Sequence, residues 1–234
     1  MKILAIDTSS HGCSAAITDD HELLAEINLY KKETHSKHLM RIIHDIFGIS
    51  GYSLAEMDGF AFSRGPGSFT GLRIGLSTIK GLAMATKKPV AGISSLDALA
   101  LGVPYPECQI CAIIDARKNE AFMARYSLFD GKLEKTMDEC LVTPDKIYHG
   151  ITGKTVFIGT GVQPYYETIR KMMGENALFV QDENHFVKAR NVAVLSHKCF
   201  ETNNFDDLSL FVPRYIRKSD AEINRITNAI KPLV

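Results

Sequence analysis

The chain has no surplus of charge of either sign, with 27 Lys and Arg balancing 27 Asp and Glu over 234 residues. It therefore lacks the electrostatic footprint of a protein that grips nucleic acid by itself, and any nucleic-acid role is expected to be indirect. Long apolar runs are missing as well. The longest spans Ile110 to Ile114, far short of the roughly 18 residues of a membrane span, and Asp7 interrupts the opening too early for a signal peptide. A cytoplasmic protein with no membrane partner is expected. Cysteine is sparse: Cys13, Cys108, Cys111, Cys140 and Cys199 are odd in number and scattered, which suits reduced thiols used as small apolar fillers. Pro 8 and Gly 17 are too few for a collagen-like or low-complexity chain, and 45% apolar content is that of an ordinary globular protein.

Familiar catalytic frames are absent too. The stretch Arg64-Gly65-Pro66-Gly67-Ser68-Phe69-Thr70-Gly71-Leu72-Arg73-Ile74-Gly75 is glycine-rich and runs into a helix, yet it matches neither G-x-x-x-x-G-K-[ST] nor G-x-G-x-x-G. Ser68 has no G-x-S-x-G elbow around it, and no cysteine stands in a nucleophile motif. His35 and His38, with His44 beyond, share a helix face but lack an H-E-x-x-H frame or a third ligand, so solvated or capping histidines are expected rather than a metal site. Cys108 and Cys111 would point to opposite faces of a strand, which makes their spacing incidental.

What the chain does contain is a repeated order of elements. Ile3 to Asp7, Cys13 to Thr18 and Glu22 to Tyr30 read as three strands, and Leu39, Ile42, Ile43 and Ile46 mark a helix from Ser36 to Phe47 that stops at Gly48. A strand at Asp58–Ser63, a helix at Gly71–Thr86, a strand at Val90–Ile93 and a helix at Ser95–Leu101 complete a βββαβαβα unit. Two prolines in Gly102-Val103-Pro104-Tyr105-Pro106-Glu107 mark a hinge. Beyond it, Cys111 to Arg117 aligns with Leu4 to Ser9 as strand, acid and turn, followed by strands at Ala121–Phe129 and from Lys132 to about Val142, and by Val156-Phe157-Ile158 with a helix near Tyr165–Met173. The expected domains are 1–103 and 104–212, with a tail at 213–234 returning to the first.

Two related halves facing each other would create a central cleft. Turns at Asp7, Thr8 and Ser9, and at Asp115 and Arg117, would aim backbone N–H groups and hydroxyls into it, as paired phosphate-holding turns do. Gly159 and Gly161 would let a flat ring approach the backbone. Outside the cleft, Met40, Phe47 and Ile49 widen the apolar arc of the first helix, while the second carries Leu72, Leu76, Ile79, Ala83 and Met84. That is more apolar face than one sheet can cover, and it points to a partner. Gly71 and Gly75 add a smooth stripe for close helix packing.

These residues together resemble the TsaB-type (YeaZ) family of subunits of bacterial tRNA threonylcarbamoyladenosine synthesis. The resemblance rests on Ile6-Asp7-Thr8-Ser9, His35-Ser36 with Leu39, the whole Arg64–Gly75 signature, Ser94-Ser95-Leu96, Asp115-Ala116-Arg117 and Pro213-Arg214-Tyr215-Ile216-Arg217, spread over nearly the entire chain. It implies an α/β protein with the duplicated actin-like ATPase (ribonuclease H-like) fold and a reduced second half. It also implies a non-catalytic paralogue of the transferase TsaD, paired with it through first-domain helices, while TsaE supplies ATPase activity. The transferase moves a threonylcarbamoyl group onto the adenosine next to the anticodon. Its metal-binding H-x-x-x-H is absent, because His35 and His38 stand one residue too close. No catalytic residue, metal or required cofactor is expected, and tRNA contact is indirect.

Asp7, Thr8, Ser9, Asp115, Arg117, Gly159 and Gly161 would then form a vestigial nucleotide cleft, with weak ATP or ADP binding in the complex. Leu39, Ile43, Phe47, Leu72, Leu76 and Ile79 are divided between the chain's own core and the partner interface, with Leu76→Glu expected to weaken partner binding. The same helices would support a homodimer when the partner is missing. The rival class is a stand-alone actin-like ATPase or phosphotransferase using Asp7 to organise metal or water, Thr8, Ser9 and Arg117 on phosphates, and Gly159 and Gly161 beside adenine. Lys31-Lys32 and Arg214 to Lys218 are local basic patches in an otherwise neutral chain.

Overall fold

Ile3 to Ile6 form an unbroken apolar run because the strand they make is central and covered on both faces. In the computed structural model, which describes residues 1–30, 36–104 and 107–207 with the backbone alone at His35, this strand is β1 (Lys2–Asp7). It is followed by β2 (Gly12–Asp19), β3 (Glu22–Tyr30), α1 (His35–Ser50), β4 (Gly59–Gly65), α2 (Phe69–Thr86), β5 (Val90–Ser94) and α3 (Ser95–Leu101). The second half contains β6 (Cys108–Arg117), β7 (Glu120–Phe129), β8 (Lys132–Val142), β9 (Thr155–Ile158), α4 (Val162–Met173), β10 (Ala177–Phe179) and α5 (Ala189–Glu201).

The duplication read from the sequence is real. One sheet has the order β3-β2-β1-β4-β5 and the other β8-β7-β6-β9-β10, with β1 and β6 each antiparallel to the next strand and parallel to the fourth of their half. The connection between β8 and β9 holds a single short 3₁₀ turn, Pro144–Lys146, where the first half has α1, so the second half is the reduced one. This is the duplicated α/β actin-like fold. Gly48 does not stop α1: the helix runs two residues further, and Gly51, at φ +75, ends it by donating its N–H to Phe47 O at 3.0 Å.

Five layers result. α1 and α2 cover the outer face of the first sheet, α3 and α5 fill the space between the sheets, and α4 covers the outer face of the second. Side-chain size explains the middle layer. Ala16, Ala5, Ala61 and Ala91 pair across four neighbouring strands, leaving a row of methyl groups against which α5 can lie closely. The ring of Phe200 on α5 occupies the space a side chain at Gly59 would need. Helix α5, left unassigned by the sequence reading, thus lies within 104–212 but packs on the first sheet. Its inward residues Ala189, Val192, Ala193 and Ser196 are small, so its apolar stripe is thin in sequence.

Polar contacts tie α3 to the second sheet. Ser94 caps α3 by accepting from Leu96 N and Asp97 N, and its hydroxyl also donates to Glu139 at 2.5 Å. Tyr126 and Lys135 each reach Asp97 at 2.7 Å. After α5 the chain runs along the free edge of β5, where Asp206 N donates to Val90 O at 3.0 Å and Gly92 N donates to the Asp206 carboxylate at 2.6 Å. Tyr105 and Pro106 of the hinge, Lys31-Lys32, the Pro213–Arg217 motif, Arg214 to Lys218 and the tail at 213–234 lie outside the described residues. No described helix is long and apolar enough to cross a membrane.

Candidate functional site

The first turn is folded into the glycine-rich loop. Asp7 ends β1 fully buried, and its Oδ1 accepts from Ser9 N at 3.1 Å and Ser9 Oγ at 2.6 Å. Its Oδ2 has no hydrogen-bond partner among the described residues. Burial pushes the carboxyl up to about 6, tempered by Ser63, whose hydroxyl stands beside it off hydrogen-bonding geometry, and by Ser9. Thr8 Oγ1 donates to Gly71 O at 2.8 Å, and Ser9 O accepts from Ser68 N at 2.7 Å. Both side chains are almost wholly buried, so their hydroxyls serve internal bonds rather than facing an open cleft.

The glycines of the signature are explained by this contact. A Cβ at Gly67 would stand 2.2 Å from Ser9 O, and one at Gly75 would stand 2.4 Å from Thr8 Oγ1. The Gly71–Gly75 stripe therefore packs on the β1 turn and not on a partner helix, because the turn already fills the space. Arg64 and Gly65 end β4, the Gly65–Pro66 bond is cis, Ser68 Oγ caps α2 by accepting from Gly71 N at 3.3 Å, and Thr70 is exposed. Gly75→Ala is expected to lose about 2 kcal/mol, because Thr8 is pinned by its bond to Gly71 and cannot retreat. Gly81→Ala on the same helix meets nothing within 4 Å and is expected to gain about 0.5–1 kcal/mol. Urea denaturation at pH 7 checks both signs; equal shifts would dismiss the contact.

The second turn is exposed. Asp115 accepts from Arg117 N at 2.8 Å and from the Tyr165 hydroxyl at 3.4 Å, while Asp115 N donates to Thr160 Oγ1 at 3.4 Å. Arg117, Lys118 and Asn119 all have positive φ, between 52 and 60. Gly159 and Gly161 are accounted for by packing on β6. A Cβ at Gly159, with φ +108, would stand 2.2 Å from Ile113 O, and Gly161 N donates to that same carbonyl at 3.0 Å. Gly159 N donates to His185 Nδ1 at 3.1 Å, and burial pushes the His185 imidazole pKa down. The turns that the sequence pairs thus differ in kind, one sealed and one open.

The outer helix layer holds the six residues that the sequence divides between core and partner interface. Leu39, Ile43, Leu72, Leu76 and Ile79 are each buried within the chain, 7% exposed at most, and Phe47 is half-buried against the same core. Leu39, Ile43, Leu76 and Ile79 pack over the first sheet, and Leu39 also lines the groove between the helices. Outward instead stand Met40, Ile49 and Met84, at 56, 71 and 79% exposure. Between the helices lies a groove of about 440 Å³ lined by Ser36, Leu39, Met40, Phe69, Thr70, Arg73, Ile74, Ser77 and Thr78. Its signal was the excess apolar arc, whose members beyond the core stripe face solvent. Among the described residues, no three His, Cys, Asp or Glu side chains cluster as metal ligands.

Residues 22–225 match the family TsaD, tRNA N6-adenosine threonylcarbamoyltransferase. The tRNA threonylcarbamoyladenosine biosynthesis protein TsaB of Escherichia coli is 35% identical over 70% of this chain and 74% of its own length. Its Bacillus subtilis counterpart is 27% identical over 95% of this chain and 96% of its own. The crystal structure of YeaZ from Pseudomonas aeruginosa superposes with a TM-score of 0.79 at 25% identity, covering 92% of this chain and 99% of that one. With the duplicated sheets and the Arg64–Gly75 loop in place, the chain belongs to the TsaB (YeaZ) family, within the wider TsaD threonylcarbamoyltransferase family.

Proposed function

We propose that this chain is a non-catalytic subunit in tRNA threonylcarbamoyladenosine synthesis, docking the outer face of α1 and α2 on a TsaD-type transferase. The carrying observation is the groove between those helices, with Leu39, exposed Met40 and Ile74 in its lining, on the outermost layer. The names of the relatives in Escherichia coli and Bacillus subtilis supply the pathway. A catalytic role is disfavoured by the spacing of His35 and His38 and by the engagement of Thr8 and Ser9 in internal bonds. A TsaE-type ATPase and tRNA join through the transferase, no bound nucleotide is required, and homodimers form through the same face when the transferase is missing.

Mixing the chain with the TsaD-type protein of the same organism should give a one-to-one heterodimer by size-exclusion chromatography with light scattering. Ser77→Arg fills the groove from an exposed position and is expected to weaken that complex at least about tenfold, as loss of a central contact does, with melting unchanged. Unchanged affinity in a folded variant would remove the groove from the interface.

A further inference from the structure

We infer that the cleft between the two halves is closed from within: segment 182–187 crosses it as a strap and holds the halves together where a bound ligand would otherwise bridge them. Successive residues of this segment touch opposite halves. His185 Nδ1 accepts from Gly159 N at 3.1 Å, at the turn that follows β9 in the second half. The next ring, Phe186, lies 4.9 Å from that of Tyr30 at the end of β3, and 3.5 Å from where a Cβ on Gly12 at the start of β2 would stand, both in the first half. Val187 is buried, and its carbonyl accepts from the Ser14 hydroxyl on β2 at 3.4 Å. The strap touches neither α1 nor α2 through these contacts, so it is independent of the docking role proposed above.

The segment is fixed in this course at both ends. Asn184 N donates to Gln181 O at 2.9 Å, and Asn184 Oδ1 accepts from Lys188 Nζ at 2.7 Å, which folds the turn over itself. Beyond it, Ala189 N donates to Ser14 Oγ at 3.0 Å and Arg190 N to the Glu26 carboxylate at 3.1 Å. The first sheet thus supplies the acceptors that the N-terminus of α5 does not receive from the Lys188 side chain. In the second half, the Gly159 amide stands where the sequence expects a flat ring to approach the backbone, and its proton is already taken by His185. Burial pushes the His185 imidazole pKa down, which keeps the Nδ1 lone pair available to that amide. Asp182 and Glu183 stand exposed at the start of the segment, within electrostatic reach of His185 and Tyr30 respectively, so a phosphate chain entering here would meet two carboxylates.

Native-state amide exchange of the full chain tests the strap, with the substitution made in one half's contact and the readout taken in the other. Phe186→Ala removes the contact with Tyr30 and Gly12 and leaves His185 in place. Gly159 N–H is then expected to exchange at least about tenfold faster, while amides of β1 and β6 keep their rates. Tyr30→Ala, at a half-exposed position, removes the same ring contact from the other side and should give the same result. His185→Ala should speed exchange of Ala189 N–H, and His185→Asn, which returns an acceptor close to the Nδ1 position, should restore the slow rate. Gly159 exchanging at its original rate in folded Phe186→Ala and Tyr30→Ala proteins would mean two unconnected contacts and overturn the strap. Millimolar Mg-ATP is expected to leave exchange unchanged at Gly159 and across residues 9–12 of the unmodified chain. Added protection at both places would reveal a cleft open to a bridging ligand, and the inference would fail.

Discussion

Leu76→Glu is expected to unfold the chain rather than to detach a partner. Leu76 is 7% exposed and packs in the outer core with Leu39, Ile43 and Ile79 over the first sheet. Removing a buried leucine costs about 3–5 kcal/mol in similar cores, and leaving a carboxyl without a partner there adds to it. The sum approaches the whole stability of an ordinary domain, about 5–15 kcal/mol. Circular dichroism and elution volume should therefore report an unfolded or aggregated protein. Leu76→Met conserves volume, should cost less than about 1.5 kcal/mol, and should bind the transferase as the unmodified chain does. A folded Leu76→Glu protein with selectively weakened partner binding would return this residue to the interface. The contrast is Met40, 56% exposed one position along from Leu39, where a charge leaves the core untouched.

Asp7→Asn is expected to stabilise the protein increasingly as pH rises from 4 to above 6. The native carboxyl holds its proton up to about 6, whereas the unfolded chain releases it near 3.8. Folding therefore takes up a proton within that window, and the contribution of Asp7 falls as pH rises through it, by up to about 3 kcal/mol. Asparagine keeps the acceptor for Ser9 N and Oγ, removes the titration and presents N–H groups toward Ser63. Urea denaturation at pH 4, 5, 6 and 7.5 should show the difference between the two proteins growing and then levelling. A difference that stays flat across that range would mean that Asp7 is not held in a desolvated site. Its unpartnered Oδ2 explains why this acid remains costly after Ser9 has been recruited.

The same turn shows where sequence and structure part. Leu4 to Ser9 and Cys111 to Arg117 look alike as strand, acid and turn, and both do end central strands of their sheets. Yet Asp7 is buried and Asp115 exposed, because the first turn is covered by the loop from Gly67 to Gly75 while the second meets Thr160 and Tyr165 across an open surface. Nothing local to either motif carries that difference. The glycines behave likewise. Their presence at 67, 75, 159 and 161 is plain in the sequence, but the carbonyl, hydroxyl or methyl group that crowds a Cβ at each comes from another strand or turn.

The sequence by itself determines the period of each element, the βββαβαβα order, its repetition and the family, because strand alternation, helical spacing and the Arg64–Gly75 signature are local patterns. It also determines that the two outer helices carry more apolar residues than one sheet can cover. Only the tertiary structure decides that Leu39, Leu72 and Leu76 turn inward while Met40 and Met84 turn outward. It alone places α5 from the second half on the alanine row of the first. Both outcomes depend on which surfaces meet, and burial belongs to pairs of surfaces distant in the chain rather than to either stretch of residues.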